Sequence, residues 1–97
     1  MDILIIPIQK IPNQSFFIDL NNQECEIHIY ERYGSTYLDL KVNDKVLMQG
    51  QICLNNVDII QYNHLDFNGN LRFIDTQGAE DPYYTGFNER YAFAYVF

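Results

Sequence analysis

The sequence predicts an all-β protein in which an antiparallel meander of about four strands is closed by two C-terminal strands into a small barrel or sandwich. Apolar and polar side chains alternate with period two along most of the chain, whereas helical periodicity is missing. Asn, Asp and Gly residues separate the alternating segments, as turns require. A length of 97 residues with 47% hydrophobic content suits one core, so residues 1–97 are predicted to form a single domain.

Residues 1–14 are predicted to form an extended N-terminal arm or an edge strand. Pro7 and Pro12 have no backbone N–H to donate, so neither can lie in a central strand. The apolar run from Ile3 to Ile8 is shorter than a signal-peptide core with its cleavage site, and Asp2 precedes it without a basic leader. We therefore expect the protein to remain in the compartment where it is made.

Four strands are predicted within residues 15–54, with turns that can be tested by matching apolar side chains across each hairpin. A two-residue loop at Asn21-Asn22 places Ile18 opposite Cys25, so that two apolar side chains meet. The first hairpin is predicted with this register.

The second hairpin is predicted to turn at Gly34-Ser35. A two-residue loop at this position sets Ile29 against Leu40, which again pairs apolar side chains on one face of the sheet. The register of the second hairpin follows from that match.

The third hairpin is predicted to have a three-residue loop, Asn43 to Lys45. This loop pairs Val42 with Val46 and Leu40 with Met48, whereas a two-residue loop would turn these apolar residues to the opposite face. The result is a meander with one continuous apolar face.

Two further strands, Leu71 to Asp75 and Tyr91 to Phe97, are predicted to cover the apolar face of the meander. In the last strand aromatic residues occupy one face and small apolar residues occupy the other. A strand that is apolar on both faces is either enclosed in the core or covered by a partner. The intervening loop, residues 77–87, contains two glycines, one proline and three aromatic residues.

The net charge of −7 disfavours nucleic acid and anionic membranes as partners, because both are negatively charged. The six basic residues are scattered along the chain, so no local basic patch offsets this balance. The apolar runs also fall short of the ~20 residues that a membrane-spanning helix needs. We therefore predict neither nucleic-acid binding nor membrane binding.

The two cysteines, Cys25 and Cys53, fit a reducing compartment such as the cytoplasm. The alternation directs Cys25 inward and Cys53 outward, which disfavours a disulfide between them. Cys25 and His28 are three residues apart in a predicted strand and point to opposite faces. A zinc site built from these residues with Cys53 and His64 is therefore not expected.

The other polar motifs are interpreted as structural. Asp66, Asn68 and Asn70 resemble a calcium loop only in part, because no glutamate closes the run, and a polar turn is the preferred interpretation. Glu24 and Glu26 share a solvated strand face. No Ser-His-Asp or Cys-His arrangement is evident from the sequence. We expect no catalytic residue, no metal and no cofactor, and we interpret the protein as a non-enzyme.

Aromatic and proline residues are predicted to form a protein interface, because aromatic side chains bury a large area where proteins meet. The predicted interface residues are Pro7, Pro12, Phe17, Tyr83, Tyr84, Phe87, Tyr91, Tyr95 and Phe97. Two alternatives stay open. In one, Tyr83, Tyr84 or Tyr37 stacks on sugar rings in a carbohydrate-binding module; in the other, the acidic surface mimics nucleic acid in a small inhibitor.

Motifs in a fixed order along nearly the whole chain resemble one known family. They are Ile5-Ile6-Pro7-Ile8, Ile11-Pro12-Asn13-Gln14-Ser15-Phe16, Val42-Asn43-Asp44, Gly50, Cys53, Gly69-Asn70-Leu71-Arg72-Phe73-Ile74-Asp75, Gly78, Asp81-Pro82-Tyr83-Tyr84, Gly86-Phe87, Arg90-Tyr91 and Tyr95-Val96. This series is similar to the baseplate plug proteins of contractile-tailed bacteriophages, as described for a cyanophage baseplate. Two departures concern turns: Asp44 stands where glycine is expected, and Phe87-Asn88 stands where leucine and glycine are common.

The resemblance implies a structural virion protein of the phage tail baseplate that plugs or bridges the central hub and spike region through protein contacts. Its implied partners are the other baseplate, hub and spike proteins, and self-association of its own copies within the assembly is left open. The resemblance also implies assembly in the host cytoplasm and no enzymatic activity.

Overall fold

Alternating apolar residues form two antiparallel sheets in a computed structural model, which describes residues 2–61 and 67–97. The three-stranded sheet, in spatial order, contains β1 (Ile3–Ile5), β7 (Tyr91–Val96) and β6 (Asn70–Asp75). The four-stranded sheet contains β2 (Asn13–Leu20), β3 (Gln23–Arg32), β4 (Ser35–Val42) and β5 (Lys45–Ile52). The predicted all-β meander with two C-terminal strands is confirmed, and it takes the form of an open sandwich.

The core lies between the two sheets, where each sheet turns its apolar side chains inward. Phe73 of β6 and Phe93 of β7 are fully buried, with ring centroids 4.7 Å apart. They meet the inward residues of the meander, such as Ile27 and Leu40, in one hydrophobic cluster. Burying each side chain of this size stabilises the fold by roughly 1.5–3 kcal/mol, so this contact between the sheets holds the sandwich together.

The first hairpin turns at Asn21-Asn22 with Ile18 opposite Cys25, which confirms the predicted register. Both loop residues have positive φ angles of 54° and 64°. This geometry is typical of a two-residue type I′ turn, and asparagine tolerates it better than most residues do.

The predicted turn of the second hairpin is wrong by one residue. The loop is Tyr33-Gly34, with φ angles of 54° and 79°, and it pairs Ile29 with Leu38 instead of Leu40. The two registers put the same side chains inward, because they differ by two residues along β4 and the side-chain period is two. Apolar matching alone therefore does not distinguish them.

The third hairpin also differs from its prediction. The loop has two residues, Asn43-Asp44, both with positive φ, and Val42 pairs with Lys45. A β-bulge then shifts β5 by one residue, and this shift restores the predicted pairing of Leu40 with Met48. The predicted pair of Val42 with Val46 does not form.

The same turn explains the first departure from the family pattern. Asp44 has a φ angle of 66°, a left-handed conformation that glycine adopts freely and aspartate tolerates. Asn88, the second departure, also has a positive φ angle, of 64°. Both positions keep the backbone conformation that favours glycine.

A second irregularity in the pairing of β4 with β5 reverses the side-chain alternation near the end of β5. Gly50 has a φ angle of 64°, and Leu38 pairs with Gln51 after the shift. Cys53 is consequently buried, so the prediction that it points outward is wrong. Cys25 is buried as predicted, both thiols are free, and burial raises the pKa of Cys25 to about 11.

The predicted C-terminal strands are confirmed as β6 and β7, and β7 lies between β1 and β6. The chain from Asn55 to Ile60 runs beside the other edge of β6, where the Ile59 N–H donates to the Leu71 carbonyl. The part of the chain that the structure describes has no helix long and apolar enough to cross a membrane. His64 and Asp66 of the predicted metal alternatives lie outside the described residues.

The Tyr33 backbone gives a direct test of the second turn. A left-handed conformation costs an ordinary residue ~1 kcal/mol, and asparagine adopts it more readily. Tyr33→Asn should therefore raise the free energy of unfolding by about 1 kcal/mol, measured as a higher urea midpoint. Tyr37→Asn, at a half-buried position within β4, is the control and should lower the free energy of unfolding. A Tyr33→Asn variant no more stable than the wild type would contradict the turn assignment.

Candidate protein-interaction surfaces

Large apolar side chains remain exposed in several places on the described part of the sandwich. They are Ile3, Leu4, Ile5, Ile11, Phe17, Tyr33, Val46, Val57 and Phe97. Six of them lie in three places: the β1 edge (residues 3–5), the outer face of the four-stranded sheet, and the tip of the hairpin that joins β3 to β4. Exposed apolar groups of this kind are candidates for contacts with other proteins.

The outer face of the four-stranded sheet carries a row of four cross-strand neighbours. Phe17 and Val46 stand at its two ends with 70% and 54% of their surface exposed. Glu26 and Lys41 lie between them, with carboxylate and ammonium 4.0 Å apart. Such an exposed ion pair contributes little to stability, so this row combines apolar ends with a balanced polar centre.

The neighbouring row places Ser15, His28 and Asp39 side by side across three strands. His28 Nδ1 lies 3.3 Å from Asp39 Oδ2, but Nε2 hydrogen-bonds to Asn13 Oδ1 at 2.8 Å. The two ring nitrogens of His28 thus face Asp39 and Asn13, and neither is hydrogen-bonded to the Ser15 hydroxyl, as a general base would be. The row therefore lacks the geometry of a catalytic triad. Only strand register brings the three residues together, so the sequence has no local signal for the row.

Asp39 also organises the aromatic side chains on this face. Its Oδ1 accepts hydrogen bonds from the Tyr30 hydroxyl at 3.0 Å and from the Gly50 N–H at 2.7 Å. Burial and the hydrogen bond to Asp39 raise the pKa of Tyr30. The Tyr30 ring stacks on Tyr37 with centroids 6.0 Å apart, and the Arg32 guanidinium lies 5.7 Å from the Tyr30 ring centre. These contacts fix the positions of Tyr30 and Tyr37 on the outer face of the sheet.

Among residues 2–61 and 67–97, Tyr33 is the most exposed large apolar residue, with 93% of its surface open to solvent. It lies at the tip of the hairpin that joins β3 to β4, and its left-handed backbone is held by a bond from the Gly34 N–H to Glu31 Oε2 at 2.8 Å. Strain of this kind persists where the surroundings enforce it and is often associated with function. Tyr33 is therefore a candidate contact residue.

The aromatic loop, residues 77–87, lies beside this tip and contains a short 3-10 helix, Tyr84–Gly86. The Thr36 hydroxyl of β4 donates to the Pro82 carbonyl at 2.8 Å and ties the loop to the four-stranded sheet. Tyr83 and Tyr84 are half-buried, with ring centroids 4.8 Å apart. A cleft of about 210 Å³ lies between the loop and the hairpin, below the ~300 Å³ at which most small-molecule sites begin.

The conformation of this loop depends on a shielded ion pair between Asp75 and Arg90. Arg90 Nε and Nη2 each donate to one oxygen of the Asp75 carboxylate at 2.8 Å, and the Asp75 side chain has no exposed surface. The backbone N–H groups of Gln77 and Glu80 donate to the same carboxylate. The hydrogen bonds from Arg90 are the main cause that lowers the pKa of Asp75, and those from the backbone add to them.

The structure divides the predicted interface residues by burial. Those with exposed side chains are Pro7, Pro12, Phe17 and Phe97, and Tyr83 and Tyr84 are half-buried. Phe87, Tyr91 and Tyr95 are instead buried in the core. Tyr91 and Tyr95 are enclosed because their face of β7 packs against the inward residues of the four-stranded sheet. The last strand is therefore enclosed in the core, and its aromatic face is not left for a partner to cover.

Several exposed apolar residues were absent from the predicted interface. Ile3 and Ile5 lie in the predicted N-terminal arm or edge strand, of which only Pro7 and Pro12 are predicted interface residues. The lack of charge after Asp2 is a signal for an exposed apolar edge. Tyr33 would have been found by assigning the turn to Tyr33-Gly34. Val46 is exposed because the third hairpin has a two-residue loop instead of the predicted three, which places Val46 opposite the outward-facing Lys41.

Potential metal ligands do not converge within residues 2–61 and 67–97, where no group of three His, Cys, Asp or Glu side chains could hold an ion. Cys25 faces the core and His28 faces outward, as their spacing predicts. Asn70 accepts from the N–H groups of Ile60 and Leu71 and donates to the Ile60 carbonyl, so its amide has a structural role.

Comparison with known proteins identifies the relationship. The family model described as the cyanophage baseplate Pam3 plug gp18 matches residues 3–97. The chain belongs to this baseplate plug family. No curated protein matches it. As a baseplate plug it is a structural component of the virion, located in the tail baseplate, and its partners are baseplate proteins.

The anchor of the aromatic loop in this plug can be tested by Asp75→Asn. The variant loses the charge that Arg90 faces, and its melting temperature should fall by roughly 5 °C or more. Glu80→Gln removes a largely exposed carboxylate 3.5 Å from the same guanidinium and should change the melting temperature little. Equal effects of the two substitutions would refute the special role of Asp75.

The pH dependence gives a second readout of the same pair. Because the pKa of Asp75 is lower in the folded protein than in the unfolded chain, its stabilising effect is present above the ordinary carboxyl value of ~4. That effect is lost as the pH falls through the folded value. Urea unfolding between roughly pH 4 and 2 should therefore show a steeper loss of stability for the wild type than for Asp75→Asn.

Proposed function

We propose that this baseplate plug bridges neighbouring proteins of the central hub and spike region and acts through protein contacts alone, without catalysis. The observation that carries the proposal is the presence of exposed apolar side chains on the outer faces of both sheets. A protein that only closed one surface would need such a patch on one side. Two outward-facing patches suit a component held between two neighbours.

The two patches lie on opposite sides of the sandwich. Ile3 and Ile5 are opposite Val96 and Ala94 in register, on the face of the sheet opposite to Phe93 and Tyr95. Ala94 and Val96 are themselves buried, so the exposed apolar part of this face lies along β1. Phe17 points away from the core on the other sheet, since Phe16 and Ile18 pack against the hydrophobic cluster. A neighbour bound to one patch therefore leaves the other accessible.

Charge and strain add support. The net charge of −7 favours neighbours with basic surfaces, which would also guide their association. Tyr33 combines an unfavourable backbone with an almost fully exposed ring, a combination that contributes nothing to the stability of the isolated chain. A contact with a baseplate neighbour would account for its presence.

The contact residues proposed on this basis are those whose side chains reach the surface. They comprise Ile3, Ile5, Pro7, Pro12, Phe17, Tyr33, Tyr83, Tyr84 and Phe97. We further propose that the plug assembles with its partners in the host cytoplasm. The carbohydrate-binding alternative has less support, because Tyr37 is stacked on Tyr30 and Tyr83 and Tyr84 are half-buried.

Phe17→Thr tests the bridging proposal. Threonine suits a strand, so the isolated variant should keep its melting temperature, but the loss of an exposed aromatic anchor should weaken assembly. The amount of variant recovered in purified tails, measured by quantitative mass spectrometry, should fall about tenfold relative to the wild type.

Val57→Thr is the control, because Val57 is an exposed apolar residue beside β6 and away from the Phe17 face. It should be recovered at the wild-type level. Wild-type plug missing from purified tails would overturn the proposed function. Normal recovery of Phe17→Thr would show that this face of the four-stranded sheet is not a contact surface.

A further inference from the structure

The β1 strand uses only every second residue to bond to β7. Asp2 and Phe97 exchange both backbone hydrogen bonds, at 2.6 and 2.9 Å, and the Ile6 N–H donates to the Phe93 carbonyl at 2.8 Å. In an antiparallel ladder, alternate residues face the same neighbour. Leu4 therefore faces β7 as well, and the N–H and C=O groups of Ile3 and Ile5 face the opposite, outer edge of the sheet.

Within residues 2–61 and 67–97, no strand pairs with this outer edge. The side chains of Ile3 and Ile5 are also open, at 56% and 54% of their surface. Proteins usually protect such edges with charged residues, prolines, bulges or covering segments, because an open edge recruits other strands. Here three consecutive aliphatic residues form the edge, and protection begins only at Pro7.

We propose that the open edge of β1 receives an extended segment of a neighbouring baseplate protein, which adds to the three-stranded sheet as a fourth, antiparallel strand. The inference rests on the proposed function and specifies how one of its contacts is made. Ile3 and Ile5 together offer two donors and two acceptors to the added strand. Main-chain hydrogen bonds supply the affinity, and the two isoleucine side chains select the neighbour's residues.

The chemistry of the added segment follows from that of the edge. Residues that pair with Ile3 and Ile5 lie on the same face of the sheet, two positions apart, and should be apolar. Pro7 has no N–H, so the ladder cannot continue with a full set of bonds beyond Ile5. The net charge of −7 favours basic residues on either side of the apolar pair. The occupant is therefore a short, extended, apolar segment with basic flanks.

A second copy of the plug fits this edge less well. Two β1 strands of three residues each would bury an area far below the ~1,200 Å² that a stable protein interface needs. Each copy also has a net charge of −7, so two copies repel each other. A segment from a basic neighbour meets neither obstacle.

Hydrogen exchange with single-residue resolution tests the proposal without a substitution. In the isolated wild-type plug, the amides of Ile3 and Ile5 should exchange rapidly, while those of Leu4 and Ile6 are protected by β7. In purified tails, the exchange of Ile3 and Ile5 should slow by at least about tenfold. Leu4 and Ile6 serve as internal controls and should remain protected in both samples.

Ile5→Pro and Ile5→Ala form a matched pair at the same position. Both remove the isoleucine side chain, but only proline removes the N–H that faces the open edge, and that N–H takes no part in the bonds to β7. Ile5→Pro should be recovered in tails at a level about tenfold below that of Ile5→Ala. If proline lowers the stability of the isolated plug, the exchange experiment decides.

The outcomes separate this inference from the proposed function. If the wild-type plug is present in tails but Ile3 and Ile5 remain unprotected, the added strand is refuted and the bridging role stands. If the wild-type plug is missing from tails, the proposed function fails. If sedimentation shows an isolated dimer in which Ile3 and Ile5 are protected, a second copy occupies the edge and the inference is overturned.

Discussion

The pairing of β7 with β1 on one edge and with β6 on the other is the interaction on which the rest of the structure depends. It joins the N-terminal arm to the C-terminal strands and places Phe93 and Tyr95 over the apolar face of the meander. Without this pairing the four-stranded sheet would expose its inner face to water. The same pairing leaves β1 at the outside of the sheet, so core formation and an open apolar edge have a common origin.

The tight turns show where stability and function make different demands. Asn21-Asn22 and Asn43-Asp44 place residues that tolerate positive φ in left-handed conformations. Tyr33 occupies the equivalent position in the second hairpin although tyrosine is poorly suited to it. The turn itself does not need an aromatic residue, so an interaction outside the isolated chain is the physical reason to expect one there.

The proposed bridging role requires the plug to keep its shape while neighbours contact it from two sides. Asp75 and Arg90 meet this need for the aromatic loop, because one shielded carboxylate fixes the guanidinium and two backbone N–H groups. Asp39 has the corresponding role on the outer face of the four-stranded sheet. Both are acidic residues in a chain rich in acids, which shows that part of the negative charge serves to order the structure.

Period-two alternation and turn composition were sufficient to predict the all-β fold, the first hairpin and the two C-terminal strands, and the motif series predicted the family. The burial of Cys53 was not predictable, because the register shifts in β5 reverse the side-chain direction that alternation implies. Val46 is exposed because the third loop has two residues, whereas matching of apolar side chains favoured three. The turn at Tyr33-Gly34 was not predicted, because registers two residues apart bury the same side chains. The interface was predicted only in part: Tyr91 and Phe17 look alike in an alternating pattern, and their burial depends on whether another layer covers their face of the strand, which is settled by long-range packing.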